Sequence, residues 1–217
     1  MKRMSKNVLI HAFLFFLRQF RNYLSLYRQK GVFKMIIPTH RLVGKYIHRM
    51  LSAENKKNLD YRRFVWGNVK PDMLPEYKAV SHYYPANEAF VFELLERTLS
   101  PNLSKVEYSD LLGVLIHFLC DYTCIYHNNM TINKRDTMRK HMQYEFLLHL
   151  YTQTKIRKWQ PEIIEFTCVE DVKYHIWKVI KRANLDGMIP DMKSDFVAMM
   201  QMAASVTKFS LKQRTNS

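Results

Sequence analysis

Apolar residues recur at helical spacing along most of this chain. In THRLVGKYIHRMLSA (39–53), Leu42, Tyr46 and Met50 lie four residues apart and therefore share one face of a helix. The sequence EAFVFELLERTL (88–99) predicts another helix. Glycine is scarce, with five residues in 217, while helix-favouring Leu, Met, Lys and Glu are frequent. The pattern therefore predicts an all-α fold, a compact multi-helix bundle.

Two S/T-x-x-E sequences mark the expected starts of later helices. Ser104 with Glu107 precedes a long apolar segment, and Thr167 with Glu170 precedes DVKYHIWKVIKRANL. In such a capping box the hydroxyl and the carboxylate each accept a hydrogen bond from a backbone N–H group of the first turn. A further helix is expected from about residue 136 to residue 151.

The stretch 64–87, FVWGNVKPDMLPEYKAVSHYYPAN, interrupts the helical pattern. Gly67, Pro71, Pro75 and Pro85 predict a long structured loop there. Long loops inside compact domains are usually functional, so the polar and aromatic residues of this stretch are candidates for a site.

These patterns divide the chain into three parts. Residues 1–38 are expected to form a basic, apolar N-terminal helix and a connector. Residues 39–210 are expected to form a single all-α domain, and 211–217 a polar tail.

The N-terminal segment combines positive charge with an apolar face. Residues 1–30 contain seven Lys and Arg residues and no acidic residue. A helix of this kind can lie on an anionic membrane or pack against the domain. The apolar run 8–17 is too short to span a bilayer and is followed by no small-residue cleavage pattern. We therefore expect no cleavable signal peptide and a protein that is cytoplasmic or peripheral to the membrane, with secretion left open.

The overall charge favours anionic partners. Lys and Arg number 34 against 19 acidic residues, which gives a net charge of +15. Such a field attracts phosphate esters, nucleic acid or an acidic membrane without choosing among them. Three cysteines are too few for a disulfide framework, and Cys120 and Cys124 are predicted to be core residues.

Histidine and carboxylate residues occur at spacings typical of metal ligands. His117 and Asp121 lie one helical turn apart in HFLCDYTCIYH (117–127), and His141 and Glu145 repeat this arrangement in HMQYE. His127 lies between the two pairs. Imidazole and carboxylate are common zinc ligands, and facing helices can combine such pairs into one site. The alternative is a buried polar network that stabilises helix packing.

Three further candidates lie upstream: His40, Asp72 and His82. Five histidines and three carboxylates are too many for one tetrahedral ion. They suggest two or three zinc ions.

The order of these residues resembles the zinc-dependent phospholipase C family. That family shares its all-α fold and its trinuclear zinc site with the fungal single-strand nucleases. The resemblance covers roughly residues 39–150 and rests on His40, the GNVKPD segment with Asp72, His82, H-x-x-x-D at 117–121, His127 and H-x-x-x-E at 141–145.

The resemblance implies a role for each ligand. The first zinc would be held by Asp72, His82, His117 and Asp121, and the second by His127, His141 and Glu145. A third would be held by His40 and by Asp121, which would bridge. Asp72 would orient or deprotonate the attacking water, and metal-activated hydroxide would attack phosphorus. Trp66, Tyr83 and Tyr84 are candidates for lining the substrate pocket, with aromatic packing as the alternative.

One feature departs from the family pattern. In secreted members the amino-terminal residue of the mature chain completes the third zinc site, whereas here 39 residues precede His40. Without cleavage, the third site is incomplete or is completed differently.

The sequence is compatible with three functions. The leading hypothesis is a membrane-associated, phospholipase C-like phosphodiesterase that acts on a phospholipid. The alternatives are a zinc-dependent nuclease of the same fold, and a non-catalytic, metal-stabilised helical protein that binds anionic membranes or partners.

Overall fold

Helices are the regular secondary structure throughout the described part of the chain. The structure, a computed structural model, describes residues 37–77, 79–84, 86–129, 132, 138–160, 162–185 and 189–216. Over these ranges it contains ten α-helices, one short 3-10 helix and no strand. Residues Met35–Ser217 form one compact unit. The predicted membrane-contacting segment, residues 1–30, lies outside the described residues. The all-α fold class is confirmed.

The helices follow one another in this order: α1 (Ile37–Met50), α2 (Ala53–Lys57), α3 (Tyr61–Gly67), α4 (Lys70–Met73), a 3-10 helix (Pro75–Tyr77), α5 (Glu88–Thr98), α6 (Lys105–Thr123), α7 (Ile125–Asn128), α8 (Met138–Lys155), α9 (Val169–Ala183) and α10 (Met192–Asn216).

Helix α6 is the centre of the domain. Every residue from Leu112 to Thr123 is buried, and α3, α5 and α10 pack around this helix. A helix that is apolar on nearly all sides belongs in the interior. Because His117 and Asp121 lie on α6, its burial carries both polar side chains into the core. Cys120 and Cys124 are buried free thiols, as predicted.

The stretch 64–87 is less irregular than the sequence predicts. It contains the end of α3, all of α4 and the 3-10 helix. Pro71 is the second residue of α4 and Pro75 the first residue of the 3-10 helix. A proline is tolerated in the first turn of a helix because the N–H group that it lacks has no partner within the helix there. These prolines therefore lie in the first turns of short helices, and the longest non-helical run among the described residues of this stretch surrounds His82.

One of the two predicted capping boxes is confirmed and the other is displaced. Ser104 and Glu107 form the box at the start of α6. At α9 the cap is Cys168, with Asp171 as its partner in place of Glu170. The carboxylate of Asp171 also accepts hydrogen bonds from the backbone N–H and the hydroxyl of Thr167, at 2.8 and 2.5 Å.

The last helix includes residues that the sequence predicts as a polar tail. Helix α10 continues to Asn216. Leu211 is fully buried, and Arg214 donates a hydrogen bond to the carbonyl oxygen of Leu103 at 2.8 Å. These contacts hold the end of the helix against the domain. Among the described helices, none is both long and apolar enough to cross a bilayer.

Candidate metal centre

All eight predicted ligands lie in the described part of the chain, and their side chains are buried. Helix α1 carries His40, α4 carries Asp72, and the segment before α5 carries His82. Helix α6 carries His117 and Asp121, α7 carries His127, and α8 carries His141 and Glu145.

The ligand atoms form three groups in which every atom lies within 4.8 Å of the others. The groups are His40, Asp72 and His117; His82, His117 and Asp121; and His127, His141 and Glu145. Since the first two groups share His117, we call their five residues the Asp121 cluster. The third group is called the Glu145 cluster.

Asp121 lies between three imidazoles of its cluster. Its Oδ2 atom is 2.6 Å from Nδ1 of His82 and 3.4 Å from Nε2 of His117, and its Oδ1 atom is 3.3 Å from Nε2 of His40. Asp72 lies beside two of the same rings. Its carboxylate oxygens are 4.0 Å from Nε2 of His40 and 3.9 Å from Nε2 of His117. These donor atoms converge from four separate segments of the chain.

Three side chains converge in the Glu145 cluster. The Oε1 atom of Glu145 is 2.8 Å from Nε2 of His127 and 3.2 Å from Nε2 of His141. The two Nε2 atoms are 3.4 Å apart. His141 and Glu145 meet because they lie one turn apart on α8, whereas His127 reaches them from α7.

Backbone carbonyl groups fix the orientation of one histidine in each cluster. Nδ1 of His117 donates a hydrogen bond to the carbonyl oxygen of Asn68 at 2.9 Å. Nδ1 of His127 donates to the carbonyl oxygen of His82 at 3.2 Å. A carbonyl oxygen only accepts, so the proton is on Nδ1 and Nε2 is presented to the cluster. Metal-binding histidines are commonly held in this way.

Burial and mutual attraction act in opposite directions on the charges of the site. Burial alone favours the neutral carboxyl, but the rings of His117, His127 and His40 hold the pKa of Asp121 well below its usual range. Hydrogen bonds from His127 and His141 likewise lower the pKa of Glu145 to about 2. Burial favours neutral His127, yet Asp121 and Glu145 raise its pKa to about 9. Both clusters therefore favour anionic carboxylates and attract positive charge.

Among the described residues, several buried side-chain atoms of the two clusters have no hydrogen-bond partner of suitable geometry. These are both ring nitrogens of His40, Nδ1 of His141 and Oδ1 of Asp121. Buried polar atoms are nearly always satisfied, so unsatisfied atoms concentrated in one place indicate a bound group. Imidazole nitrogen and carboxylate oxygen are ligands that zinc accepts. The residues present therefore fit zinc.

The three aromatic candidates for the substrate pocket have different surroundings. Tyr83 stacks on the ring of His127, with 5.2 Å between centroids, and its ring meets that of His141 at 6.3 Å. Tyr84 turns to α5 instead, where its hydroxyl donates to Glu88 at 2.6 Å. Trp66 is half-buried on α3. The structure thus brings Tyr83 to the Glu145 cluster.

Several supporting groups were not predicted from the sequence. The carbonyl oxygen of Asn68 and that of His82 belong to the backbone, which every residue shares. Tyr126 stacks on His141 at 4.8 Å between centroids. The hydroxyl of Thr39, next to His40, is 3.0 Å from Nδ1 of His149. Only the adjacency of Thr39 and Tyr126 to predicted ligands could have pointed to them.

Comparison with known proteins identifies the family. A family model described as zinc dependent phospholipase C matches residues 39–197, which include all eight predicted ligands. No curated protein matches the chain, and no solved structure matches it. Since the family model covers well over half of the 217 residues, this chain belongs to the zinc-dependent phospholipase C family.

Proposed function

We propose that this chain is a zinc-dependent phosphoester hydrolase whose substrate is a phospholipid. The observation that carries the proposal is the convergence of eight buried imidazole and carboxylate side chains into two adjacent clusters. The family match supports the same chemistry.

The Asp121 cluster and the Glu145 cluster are the residues that would hold zinc. One ion is assigned to the Glu145 cluster and one or two to the Asp121 cluster, where Asp121 offers one oxygen towards His40 and the other towards His82 and His117. Bound zinc supplies a Lewis acid and lowers the pKa of water towards neutrality.

Asp72 is the residue that we assign to the attacking water. Its carboxylate is fully buried and lies beside His40 and His117 at the edge of the Asp121 cluster. A carboxylate in that position can orient a water molecule and accept its proton. Tyr83, which lies against His127, is assigned to the wall of the substrate site.

The charge of the protein supports an anionic substrate. A net charge of +15 attracts phosphodiesters and the surface of an anionic bilayer. Peripheral membrane contact through residues 1–30 is also part of the proposal, because this segment has seven Lys and Arg residues and no acidic residue. The segment lies outside the described residues.

The zinc content of purified protein tests the metal centre. We expect two or three zinc ions per chain in protein purified without chelators or a metal-affinity tag, and fewer in Asp121→Ala. Asp110→Ala is the matched control, since Asp110 lies on the same helix and pairs with Lys70 outside both clusters. An absence of zinc in the wild type, or equal zinc in both variants, would contradict the proposal.

Turnover of three substrates separates the functions that share this metal centre. Phosphatidylcholine, a water-soluble phosphocholine ester and single-stranded DNA would be offered to the same zinc-containing preparation. Hydrolysis of the first two supports the proposed function. Selective cleavage of DNA would replace it with a nuclease, and full zinc occupancy without any turnover would indicate a non-catalytic, metal-stabilised protein.

A further inference from the structure

A buried carboxylate outside the eight ligands joins the two segments that build the Glu145 cluster. Asp195 lies in the first turn of α10 and is 8% exposed. Its Oδ2 atom accepts a hydrogen bond from the backbone N–H of Ile125 at 3.0 Å and another from the hydroxyl of Tyr144 at 2.7 Å. The two donors belong to different helices.

Both donors are close in sequence to metal-ligand candidates. Ile125 is the first residue of α7, and His127 follows two residues later. Tyr144 directly precedes Glu145 on α8, and His141 lies one turn earlier on the same helix. Asp195 therefore contacts the α7 segment that carries one member of the cluster and the α8 segment that carries the other two.

Helix α7 depends on such a contact because it is only four residues long. Its N-cap residue, Cys124, makes no side-chain cap hydrogen bond. The first N–H groups of a helix have no partner inside it, and a single turn has little stability of its own. Asp195 supplies the missing acceptor from a distant helix. This contact lies at the start of α7, two residues before His127.

We propose that Asp195 is a positioning residue that holds α7 and α8 in the register needed for the Glu145 cluster to bind zinc. The inference rests on the proposed function, since it assumes that this cluster holds an ion. Metal sites tolerate only small displacements of their ligands, and loss of a supporting hydrogen bond typically weakens metal affinity by about 10- to 100-fold.

A cleft beside Asp195 lowers the packing cost of the test variants. A cleft of about 500 Å³ between α9 and the start of α10 is lined by Asp195 and Ile125. Water can enter this cleft when the carboxylate is removed. Truncation of the side chain therefore does not leave a sealed void in the core.

The experiment measures zinc retention by full-length protein against chelators of graded strength. Asp195→Ala should bind one of the ions about 10-fold more weakly than the wild type does. Asp195→Asn should retain most of the affinity, because the amide oxygen can still accept both hydrogen bonds. The zinc affinity of Tyr144→Phe, which removes one of the two donors, should lie between those of Asp195→Ala and Asp195→Asn.

A matched control separates positioning from general packing. Tyr108→Phe removes another buried inter-helix hydroxyl contact, the one between α6 and Ser210 on α10 at 3.1 Å, which lies away from both clusters. Its zinc affinity should equal that of the wild type. The unfolding midpoint of each variant would be measured in parallel.

Double variants identify the ion that is lost. Adding Asp195→Ala to His127→Ala should cause no further loss of zinc, because the Glu145 cluster is already disrupted. Adding it to Asp121→Ala should still remove zinc.

Failure of this inference differs from failure of the proposed function. Wild-type protein without zinc would refute the function itself. Normal zinc in the wild type with unchanged affinity in Asp195→Ala would overturn the positioning role. Equal losses from both clusters, or no difference between Asp195→Asn and Asp195→Ala, would likewise assign Asp195 a merely structural role and overturn the inference.

Discussion

Gly67 on α3 and Gly113 on α6 meet through their backbones where the two helices cross. A Cβ atom on Gly113 would lie 2.8 Å from Cα of Gly67 and 2.4 Å from the carbonyl oxygen of Phe64. Only two glycines allow so close an approach. The crossing places Asn68, the residue after Gly67, where its carbonyl oxygen can hold Nδ1 of His117.

Gly113→Ala should destabilise the protein by about 1–3 kcal/mol. Alanine favours a helix over glycine by about 1 kcal/mol, but here its methyl group meets backbone atoms that can move only if the helices separate. Urea unfolding would measure the change. Zinc affinity should fall as well, because separation of the helices withdraws the Asn68 carbonyl group from His117.

Gly44→Ala is the control for that substitution. The same helix propensity is gained on α1, and the nearest atoms, at 3.1 Å, belong to the side chain of Asn68 and not to a backbone, so they need to give way by only a few tenths of an ångström. Its stability should stay close to that of the wild type. Equal destabilisation by both substitutions would mean that the tight crossing has no special role.

Removal of zinc should lower the melting temperature by roughly 5–15 °C. An ion that binds only the folded state contributes about 3–4 kcal/mol when present at 100 to 1,000 times its dissociation constant. In a domain of this size each kcal/mol shifts the midpoint by about 2–4 °C. Thermal unfolding with and without chelator would measure the effect.

Thermal unfolding of Asp121→Ala, with and without chelator, provides the comparison. This variant has lost the carboxylate that three imidazoles of its cluster share. Chelator should therefore shift its midpoint less. A wild-type midpoint that does not respond to chelator would contradict the prediction.

Tyr83→Ala should raise KM by roughly 2- to 10-fold while zinc content stays unchanged. Its ring lies against His127 and His141 of the Glu145 cluster, and aromatic contacts are worth about 0.5–1.5 kcal/mol. Steady-state kinetics with a soluble phosphocholine ester would measure it. Tyr84→Phe removes a hydroxyl that faces Glu88 and should leave KM unaltered; an equal effect of both changes would argue against a substrate contact by Tyr83.

The stability of Asp195→Asn should depend less on pH than that of the wild type. Burial raises the pKa of Asp195 to about 7, although the bonds from Ile125 and Tyr144 oppose the shift. A raised pKa in the folded state gives stability that is fully present below the unfolded pKa of 3.8 and is lost as pH rises through 7. As pH rises from 4.5 to 8, the free energy of unfolding of the variant should increase by roughly 1–3 kcal/mol relative to that of the wild type.

Urea unfolding at the two pH values would test this, with chelator present throughout so that zinc release adds no pH dependence of its own. Asp171→Asn is the control, since hydrogen bonds from Thr167 lower the pKa of this carboxyl, which does not act on Asp195. Its titration lies below 3.8, so its effect should be the same at pH 4.5 and 8. An Asp195→Asn difference that does not change with pH would refute the assigned titration.

The long helices and half of the candidate ligand set were predictable from the sequence because both depend on local spacing. His117 with Asp121 and His141 with Glu145 are four residues apart, so any α-helix brings each pair together. The buried course of α6 likewise follows from its apolar composition. Ser104 and Glu107 were recognisable as a cap because both bonds form within four residues.

Tertiary structure decided the contacts that join distant segments. His40, Asp72 and His82 approach α6 only because α1, α4 and the segment before α5 pack around it, and no spacing rule connects them. The same holds for Asp195, which reaches Ile125 across 70 residues. Backbone carbonyl groups such as that of Asn68 leave no mark in the sequence because every residue has one. Side-chain type and local period thus determine which residues can bind a metal, and the packing of the helices decides which of them meet.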